Sequence, residues 1–388
     1  MEKKTKVLIA DDSALMRRTM RKMLEKMGLD VVTTARDGVD AIEKAEKYRP
    51  DVITLDINMP RMDGLTALKK LLRKDIAPIV MVSSLTQAGA NTTLEALELG
   101  AFDCVGKPGG TVSSDMTSAA IELERKIREA ASSGIMKRLR TESGRSSKRR
   151  PSPGILSKAK STIRSTSRKT SRTSSRTSTR TTGITSSIME RAKAAAAKEA
   201  NLKAIAIGIS TGGPKTIFDV LPNLPGNINA AIFLVQHMPA NFTSQFAQRI
   251  DRSCLLKCVE VRAGMTVEPG TIYLGKGGSH LKLVKKSNNE IVIRCPTRPP
   301  HLFIPSVDIM MESVLEVFGN RTIGVIMTGM GDDGARSMVK IKQAGGVTIA
   351  ESEESSIVWG MPGETVRMGG AQIVKPSWEI ANSIIDVL

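Results

Sequence analysis

Short apolar runs alternate with amphipathic stretches along the first 136 residues. The runs have the length and composition of buried strands, whereas Leu15–Met27 repeats its apolar residues at helical spacing. Five such strand-helix units predict an α/β domain with a doubly wound parallel sheet. The predicted strands are Lys6–Ala10, Val31–Thr34, Asp51–Leu55, Ala77–Val82 and Phe102–Val105.

The same alternation returns in residues 201–388 and predicts a second doubly wound α/β domain. A strand-rich insertion, residues 257–295, interrupts it and carries turn signals at Glu268-Pro-Gly and Gly277-Gly. The predicted buried parallel strands are Ala204–Ile209, Ala230–Val235, Thr322–Met327 and Val347–Ala350.

Residues 137–182 follow neither pattern. They hold 15 of the 57 Lys and Arg residues, one of the 39 Asp and Glu residues, 21 Ser and Thr residues and no aromatic residue. Such a segment cannot bury enough apolar surface to offset its chain entropy, which predicts a long basic disordered linker. An Ala-rich run over residues 188–200 predicts a helix that ends this linker. The expected domains are therefore residues 1–136 and 201–388, joined by residues 137–200.

The net charge of +18 suggests a nucleic-acid or anionic-surface binder until its location is considered. The 137–182 segment carries +14 of it, and without aromatic side chains it offers no platform for base stacking. We therefore expect a solvated tether with nonspecific electrostatic attraction and no specific nucleic-acid partner. No apolar run approaches the length of a membrane span, and neither a signal peptide nor a disulfide framework is evident. We expect a cytoplasmic protein with no membrane insertion.

Polar side chains follow four of the predicted front strands. Because the carboxyl ends of parallel strands share one edge of a sheet, we expect these side chains to form one site. Clustered carboxylates would repel one another unless a hard cation such as Mg²⁺ bound them, and a metal with a lysine suits phosphoryl chemistry on a carboxylate. Each acid could alternatively be a helix N-cap or turn residue. The residues are Asp11 and Asp12 after the first strand, Asp56 after the third, Ser83 and Ser84 at the fourth, and Lys107 after the fifth.

The motifs Asp56-Ile-Asn-Met-Pro-Arg-Met-Asp-Gly and Val105-Gly-Lys-Pro make the front domain similar to response-regulator receivers over about residues 5–125. The resemblance implies a flavodoxin-like fold with Asp56 as the phospho-acceptor and a chemotaxis histidine kinase as phosphodonor. It further implies Ser83 as the switch hydroxyl and Lys107 as a phosphate contact. Cys104 departs from the family, because receivers often carry an aromatic switch residue there. By the same resemblance, the Mg²⁺ ligands are Asp11, Asp12, Asp56 and the Asn58 carbonyl.

Gly208-Ile-Ser-Thr-Gly-Gly follows the first strand of the back domain. A serine on such a turn can present its hydroxyl at the sheet edge, although Ser210 could equally be an N-cap among turn glycines. His237 follows the next strand and is the base that we expect, because His280 lies in the insertion and His301 in a proline-rich loop. Asp332 and Asp333 follow a third strand, and both are candidates for the acid of a triad.

Five motifs, in order, give the back domain its resemblance to the chemotaxis protein-glutamate methylesterase, which is also a protein-glutamine deamidase. They are Ser210-Thr-Gly-Gly, Gln236-His-Met-Pro, Pro305-Ser-Val-Asp, Thr328-Gly-Met-Gly-x-Asp-Gly and Gly360-Met-Pro. The resemblance implies a Rossmann-like domain with the triad Ser210, His237 and Asp333. It also implies the Met330 amide as an oxyanion donor, chemoreceptors as the protein substrate and no cofactor in this domain. Phe303-Ile304 replaces the family's His-Arg.

We therefore expect a phosphorylation-activated hydrolase that demethylates chemoreceptor glutamates and deamidates receptor glutamines in chemotactic adaptation. Two alternatives stay open at this point. One is a receiver-linked serine hydrolase that acts on another methylated or amidated protein. The other is a receiver-gated binding protein that acts through the basic segment.

Overall fold

The computed structural model describes residues 4–83, 87–107, 113–133 and 201–388. The predicted linker, residues 137–200, lies outside the described residues, as does Ser84.

The front domain contains a five-stranded parallel sheet with strand order β2-β1-β3-β4-β5. This confirms the predicted doubly wound fold: the first predicted strand has the observed bounds, and the ends of the other four differ by one or two residues. The strands are β1 (Lys6–Ala10), β2 (Asp30–Ala35), β3 (Val52–Asp56), β4 (Ile79–Ser83) and β5 (Asp103–Gly106). The helices are α1 (Ala14–Lys26), α2 (Gly38–Tyr48), α3 (Gly64–Lys74), α4 (Gln87–Leu99) and α5 (Ser113–Ser132).

Three helices of the front domain begin at polar residues whose side chains accept backbone N–H groups. Ser13 caps α1, Asp37 caps α2 and Asp63 caps α3. Such caps satisfy amides that a helix N-terminus would otherwise leave unpaired. Asp11, Asp12 and Asp56, for which the sequence left an N-cap role open, cap none of these three helices.

The back domain contains a seven-stranded parallel sheet with strand order β14-β13-β12-β6-β7-β9-β8, and a separate antiparallel pair, β10-β11. The strands are β6 (Lys203–Ile209), β7 (Ala230–Gln236), β8 (Lys257–Glu260), β9 (Thr271–Leu274), β10 (Lys282–Lys285), β11 (Ile291–Arg294), β12 (Thr322–Ile326), β13 (Val347–Glu351) and β14 (Ile373–Lys375). The helices are α6 (Gly213–Thr216), α7 (Ala240–Ser253), α8 (Val307–Phe318), α9 (Ala335–Gln343), α10 (Met361–Arg367) and α11 (Ser377–Asp386), with 3₁₀ turns at Ile217–Asp219, Leu221–Asn223 and Gly319–Arg321.

Half of the expected insertion belongs to the main sheet. β8 and β9 pair in parallel with each other, and β9 pairs in parallel with β7, so that they extend the sheet at one edge. Within this segment, only β10 and β11 form a separate antiparallel ladder. A strand of four residues is too short for its periodicity to indicate which strand it pairs with. The sequence pattern therefore predicts residues 257–295 only as one strand-rich insertion.

Each sheet changes strand order where the expected chemistry lies. β1 lies between β2 and β3 in the first sheet, and β6 lies between β7 and β12 in the second. The carboxyl ends flanking such a switch point diverge and leave a crevice for ligands. The residues after β1 and β3 share one crevice, and those after β6, β7 and β12 share the other.

The two domains pack together as one compact unit. Ile357 and Val358 of the back domain join an apolar cluster that includes Phe102 and Leu123 of the front domain. The structure shows no helix in its described part that is long and apolar enough to cross a bilayer.

Candidate functional site

Ser210 and His237 leave adjacent parallel strands at the same level. β6 and β7 pair in register up to Ile209 and Gln236, so the next residues are Ser210 and His237. The Gln236 side-chain amide donates to the carbonyl oxygens of both residues, each over 3.0 Å, and the Ser210 amide donates to the Thr328 carbonyl over 3.0 Å. These bonds hold the backbones of Ser210 and His237 side by side at the sheet edge.

His237 contacts the acid through its Nε2 atom, which lies 2.8 Å from Asp333 Oδ2. This pairing places the ring proton on Nε2, because the carboxylate can only accept. Nδ1 is buried and has no hydrogen-bond partner within the described residues. Its lone pair is thus available to take a proton from a neighbouring hydroxyl.

Asp333 is buried at the N-terminus of α8. It accepts hydrogen bonds from Ser306 Oγ (2.9 Å) and from the amides of Val307 (2.7 Å) and Asp308 (3.0 Å). Burial alone would raise the pKa of the Asp333 carboxyl, but His237 and these amides lower it to about 2. The carboxylate therefore stays ionised at neutral pH and can stabilise an imidazolium.

The backbone beside Ser210 offers an amide for a developing oxyanion. A Cβ added to Gly329 would lie 2.7 Å from the Ser210 Cβ, so only glycine allows this approach. The Met330 amide, next along the chain, makes no hydrogen bond to any described residue. Amides that point into a site without a partner are the groups that form oxyanion holes.

The front domain gathers its acids as predicted. Oxygen atoms of Asp11, Asp12 and Asp56 all lie within 4.8 Å of one another. Lys107 Nζ lies 2.8 Å from Asp56 Oδ2 and 3.0 Å from Asp11 Oδ2. Burial raises the pKa of the Asp56 carboxyl despite the nearby lysine. Burial would lower the pKa of Lys107, but the two carboxylates raise it.

The remaining predicted residues of this site surround Asp56. Ser83 is buried at the end of β4, and its carbonyl accepts the Lys107 amide over 2.8 Å. Asn58 is exposed two residues beyond Asp56. A Cβ on Gly64 would lie 1.9 Å from the Asp56 carbonyl oxygen, which explains why glycine ends the phosphorylation-site motif.

Two family comparisons match separate parts of the chain. Residues 7–114 match the response regulator receiver domain, and residues 205–384 match the family described as CheB methylesterase. The chain is 52% identical over 385 residues to protein-glutamate methylesterase/protein-glutamine glutaminase 3 of Syntrophomonas wolfei subsp. wolfei, and the match covers 98% of each chain.

The chain belongs to the protein-glutamate methylesterase/protein-glutamine glutaminase family. It is also 44% identical over 397 residues to the protein of that name from Caldanaerobacter subterraneus subsp. tengcongensis, covering 99% of this chain and 97% of the relative. The similar protein of Archaeoglobus fulgidus is 40% identical over 384 residues, covering 99% and 98%. Both resemblances inferred from the motifs are therefore confirmed.

Three side chains considered for this methylesterase site lie elsewhere. His280 is buried and bonds the Pro299 carbonyl (3.0 Å) and the Ser306 amide (3.2 Å), and burial lowers its pKa. It holds the segment before α8 as a neutral structural histidine. His301 and Asp332 are exposed, and neither bonds His237.

Phe303 has a position that the sequence did not reveal. Its ring stacks on the His237 imidazole with centroids 4.1 Å apart and planes 7° from parallel. The Arg125 guanidinium of α5 lies 5.3 Å from the Phe303 centroid. In the sequence, Phe303 stands out only because it replaces the histidine of the family's His-Arg pair. That replacement does not indicate that the ring stacks on His237.

Cys104 takes the place of the aromatic switch residue of receivers. It is buried in β5, and burial raises the pKa of its thiol to about 12. Its carbonyl accepts Lys126 Nζ over 2.7 Å. The thiol is thus protonated and inert, and no aromatic rotamer at this position can report phosphorylation.

Proposed function

We propose that this methylesterase hydrolyses glutamate γ-methyl esters of chemoreceptors, releasing methanol, and deamidates specific receptor glutamines to glutamate in chemotactic adaptation. The observation that carries the proposal is the 2.8 Å bond from His237 to Asp333 beside Ser210. That arrangement leaves Nδ1 of the imidazole without a hydrogen-bond partner among the described residues, on the strand end beside that of Ser210, and a serine with a neighbouring base is what acyl transfer requires.

The first half of the reaction acylates the serine. His237 Nδ1 takes the proton of the Ser210 hydroxyl while Oγ attacks the γ-carbonyl carbon, and the negative charge moves to the carbonyl oxygen. The Met330 amide donates to that oxygen, and one such donor is typically worth about 3 kcal/mol in the transition state. Asp333 stabilises the imidazolium through Nε2. The imidazolium then protonates the leaving group, which departs as methanol from an ester or ammonia from a glutamine amide.

Water completes the cycle. The imidazole, neutral again, takes a proton from water as the oxygen attacks the acyl carbon. Collapse of the second tetrahedral intermediate returns the proton to Ser210 Oγ and frees the glutamate carboxylate.

Replacing Ser210 by Ala tests this function directly. We expect Ser210→Ala to lose both methanol release from methylated receptor and ammonia release from the amidated receptor. Ser253→Ala is a matched control, because this hydroxyl donates to the Arg249 carbonyl within α7. Hydrolysis retained by Ser210→Ala would contradict the assignment of Ser210 as the nucleophile.

In the receiver, we propose Asp56 as the acceptor of a phosphoryl group from a chemotaxis histidine kinase. Three clustered carboxylates with a lysine fit a magnesium ion, which neutralises phosphoryl oxygens when it is bound. Asp11, Asp12, Asp56 and the Asn58 carbonyl would hold the ion. Lys107 contributes its positive charge, and the Ser83 hydroxyl would bond the new phosphoryl group.

In this proposal, the unphosphorylated receiver restricts access to the active site. Arg125 of the receiver lies over Phe303, and Phe303 covers the imidazole of His237, whose side chain is only 5% exposed. Phosphorylation adds about −1.5 to −2 charge at Asp56 and weakens the domain contact. A coupling free energy of about 1–3 kcal/mol would raise hydrolysis several-fold to a hundredfold.

A further inference from the structure

Glu351 is an acid that the mechanism does not use. It ends β13, is fully buried, and accepts the Thr328 amide at Oε2 and the Ser355 hydroxyl at Oε1, each over 2.7 Å. No Lys, Arg or His side chain pairs with it within the described residues. A buried carboxylate without a cation is costly, because desolvation opposes its charge.

Thr328, whose amide donates to Glu351, makes three further hydrogen bonds, one of them to the nucleophile itself. Its carbonyl accepts the Ser210 amide over 3.0 Å, and its hydroxyl donates to the Thr211 carbonyl over 2.9 Å. The same hydroxyl accepts the Val358 amide over 2.9 Å. Thr328 therefore ties the turn that carries Ser210 to the loop that continues into Gly329 and the Met330 amide.

We propose that Glu351 is a positioning residue that acts through Thr328 on Ser210 and the Met330 amide. The inference rests on the proposed acyl-transfer function. By anchoring the Thr328 amide, the carboxylate sets the distance between the nucleophile and the oxyanion donor. Displacements of an ångström in such an arrangement can cost large factors in rate, so a distant acid can govern the turnover number without touching substrate.

The charge state of Glu351 gives this role a pH signature. Burial raises the pKa of its carboxyl to about 7, and the nearby Asp219 acts in the same direction. Lys375, its register partner on β14, pairs with Glu379 instead. The anion accepts a hydrogen bond more strongly than the neutral acid. Positioning is thus strongest above pH 7 and weakens as the carboxyl protonates.

The pH dependence of stability has the opposite sign. Since the folded-state pKa lies above the ordinary value of 4.5, the stabilising protonated state is present at low pH. This contribution is lost as the pH rises from about 4.5 through about 7. Ionisation of Glu351 therefore lowers the stability of the protein above pH 7. A positioning role predicts that the same ionisation raises kcat in that range.

Glu351→Gln in the full chain separates the two roles. Glutamine resembles the neutral acid and cannot ionise, so the ratio of the two kcat values isolates the effect of the charge on Glu351. We expect the ratio of wild-type to variant kcat for methanol release to be near one at pH 6 and to rise several-fold at pH 8.5, with KM unchanged. Glu351→Leu, which removes the acceptor, is expected to lower kcat about tenfold at pH 8.5 and by a smaller factor at pH 6, where the wild-type carboxyl is largely neutral.

Thr348→Val is the matched control on the same strand. Its hydroxyl is buried and bonds the Gln372 side chain over 3.0 Å, away from Ser210, so kcat should be unchanged. A kcat ratio that stays at one for Glu351→Gln, or wild-type kcat for Glu351→Leu, overturns the inference. If Glu351→Leu does not fold, the Glu351→Gln ratio decides. The proposed function fails separately, through activity retained in Ser210→Ala.

Discussion

Thr211 Oγ1 donates a hydrogen bond to Asp103 Oδ2 over 2.6 Å and so joins the residue after the candidate nucleophile to the receiver strand β5. Asp103 also pairs with the buried Lys126, 2.9 Å from its Oδ1. Burial would lower the pKa of Lys126, but Asp103 and Glu122 raise it. The receiver thus presents an acceptor oxygen, on a side chain held by Lys126, to the turn that carries Ser210.

Thr211→Val should release this contact. Valine keeps the shape of the side chain and removes the donor, while the Thr211 carbonyl remains available to Thr328. We expect several-fold higher methanol release from the unphosphorylated protein and little change in the phosphorylated protein. Both rates are measured on methylated receptor, with and without a phosphodonor.

Thr365→Val is the control for that measurement, since its buried hydroxyl bonds the Met361 carbonyl within α10. It should leave both rates unchanged. Equal basal rates for Thr211→Val and the wild type would show that the bond to Asp103 does not restrain the enzyme.

Arg125→Ala should raise the basal rate by a second route. Without the guanidinium, Phe303 loses its partner on the receiver and can leave the His237 ring. A partly exposed cation–π contact is worth about 0.5–2 kcal/mol, so we expect a rise of about two- to tenfold in the unphosphorylated protein.

Arg128→Ala serves as its control, because Arg128 lies on the same helix and bonds Glu124 and the Met27 carbonyl within the receiver. A basal rate that rises equally in both variants would point to general loosening of α5 rather than to Phe303.

Asp12→Asn should weaken magnesium binding without affecting hydrolysis. Asp12 is the exposed acid of the cluster, so the substitution removes a ligand charge with little effect on packing. We expect phosphorylation of Asp56 to need about tenfold or more Mg²⁺, measured by titrating the metal at fixed phosphodonor. Basal methanol release should not change.

Asp30→Asn is the comparison variant, because Asp30 is exposed at the amino end of β2, the opposite end of the sheet from the acids. An unchanged Mg²⁺ requirement in Asp12→Asn would remove Asp12 from the site.

Strand ends explain most of what could be predicted from the sequence. Ser210, His237 and Asp333 each follow a long apolar run, and parallel strands bring such positions together whatever their separation along the chain. Asp11, Asp56 and Lys107 meet at one edge of the front sheet for the same reason.

Contacts between surfaces were not predictable in this way. Phe303 stacks on His237 because a loop of the same domain lies over the imidazole, and Asp103 meets Thr211 because the two domains pack together. No periodicity encodes either contact. Glu351 gave no signal either, since a polar residue at the end of a strand is typical of a turn. Its hydrogen-bond donor Thr328 comes from another segment of the domain, which the sequence pattern does not indicate.

Asp333→Asn should change the pH dependence of stability in a defined direction. The pKa of the Asp333 carboxyl is lowered from 3.8 to about 2 in the folded protein, so its ionised form stabilises the fold above pH 3.8. This contribution is lost as the pH falls through about 2. The shift corresponds to about 2 kcal/mol. In urea unfolding, the difference between wild type and Asp333→Asn should therefore be largest at pH 6 and shrink towards pH 2.5.

The same variant should lose at least about 10³-fold in methanol release at pH 7, because an amide that donates to Nε2 moves the ring proton to Nδ1. Nδ1 then cannot accept the proton of Ser210. Asp332→Asn, at the exposed neighbouring position, should match the wild type in both measurements. A stability difference that is constant from pH 6 to pH 2.5 would mean that Asp333 contributes through packing and not through its charge.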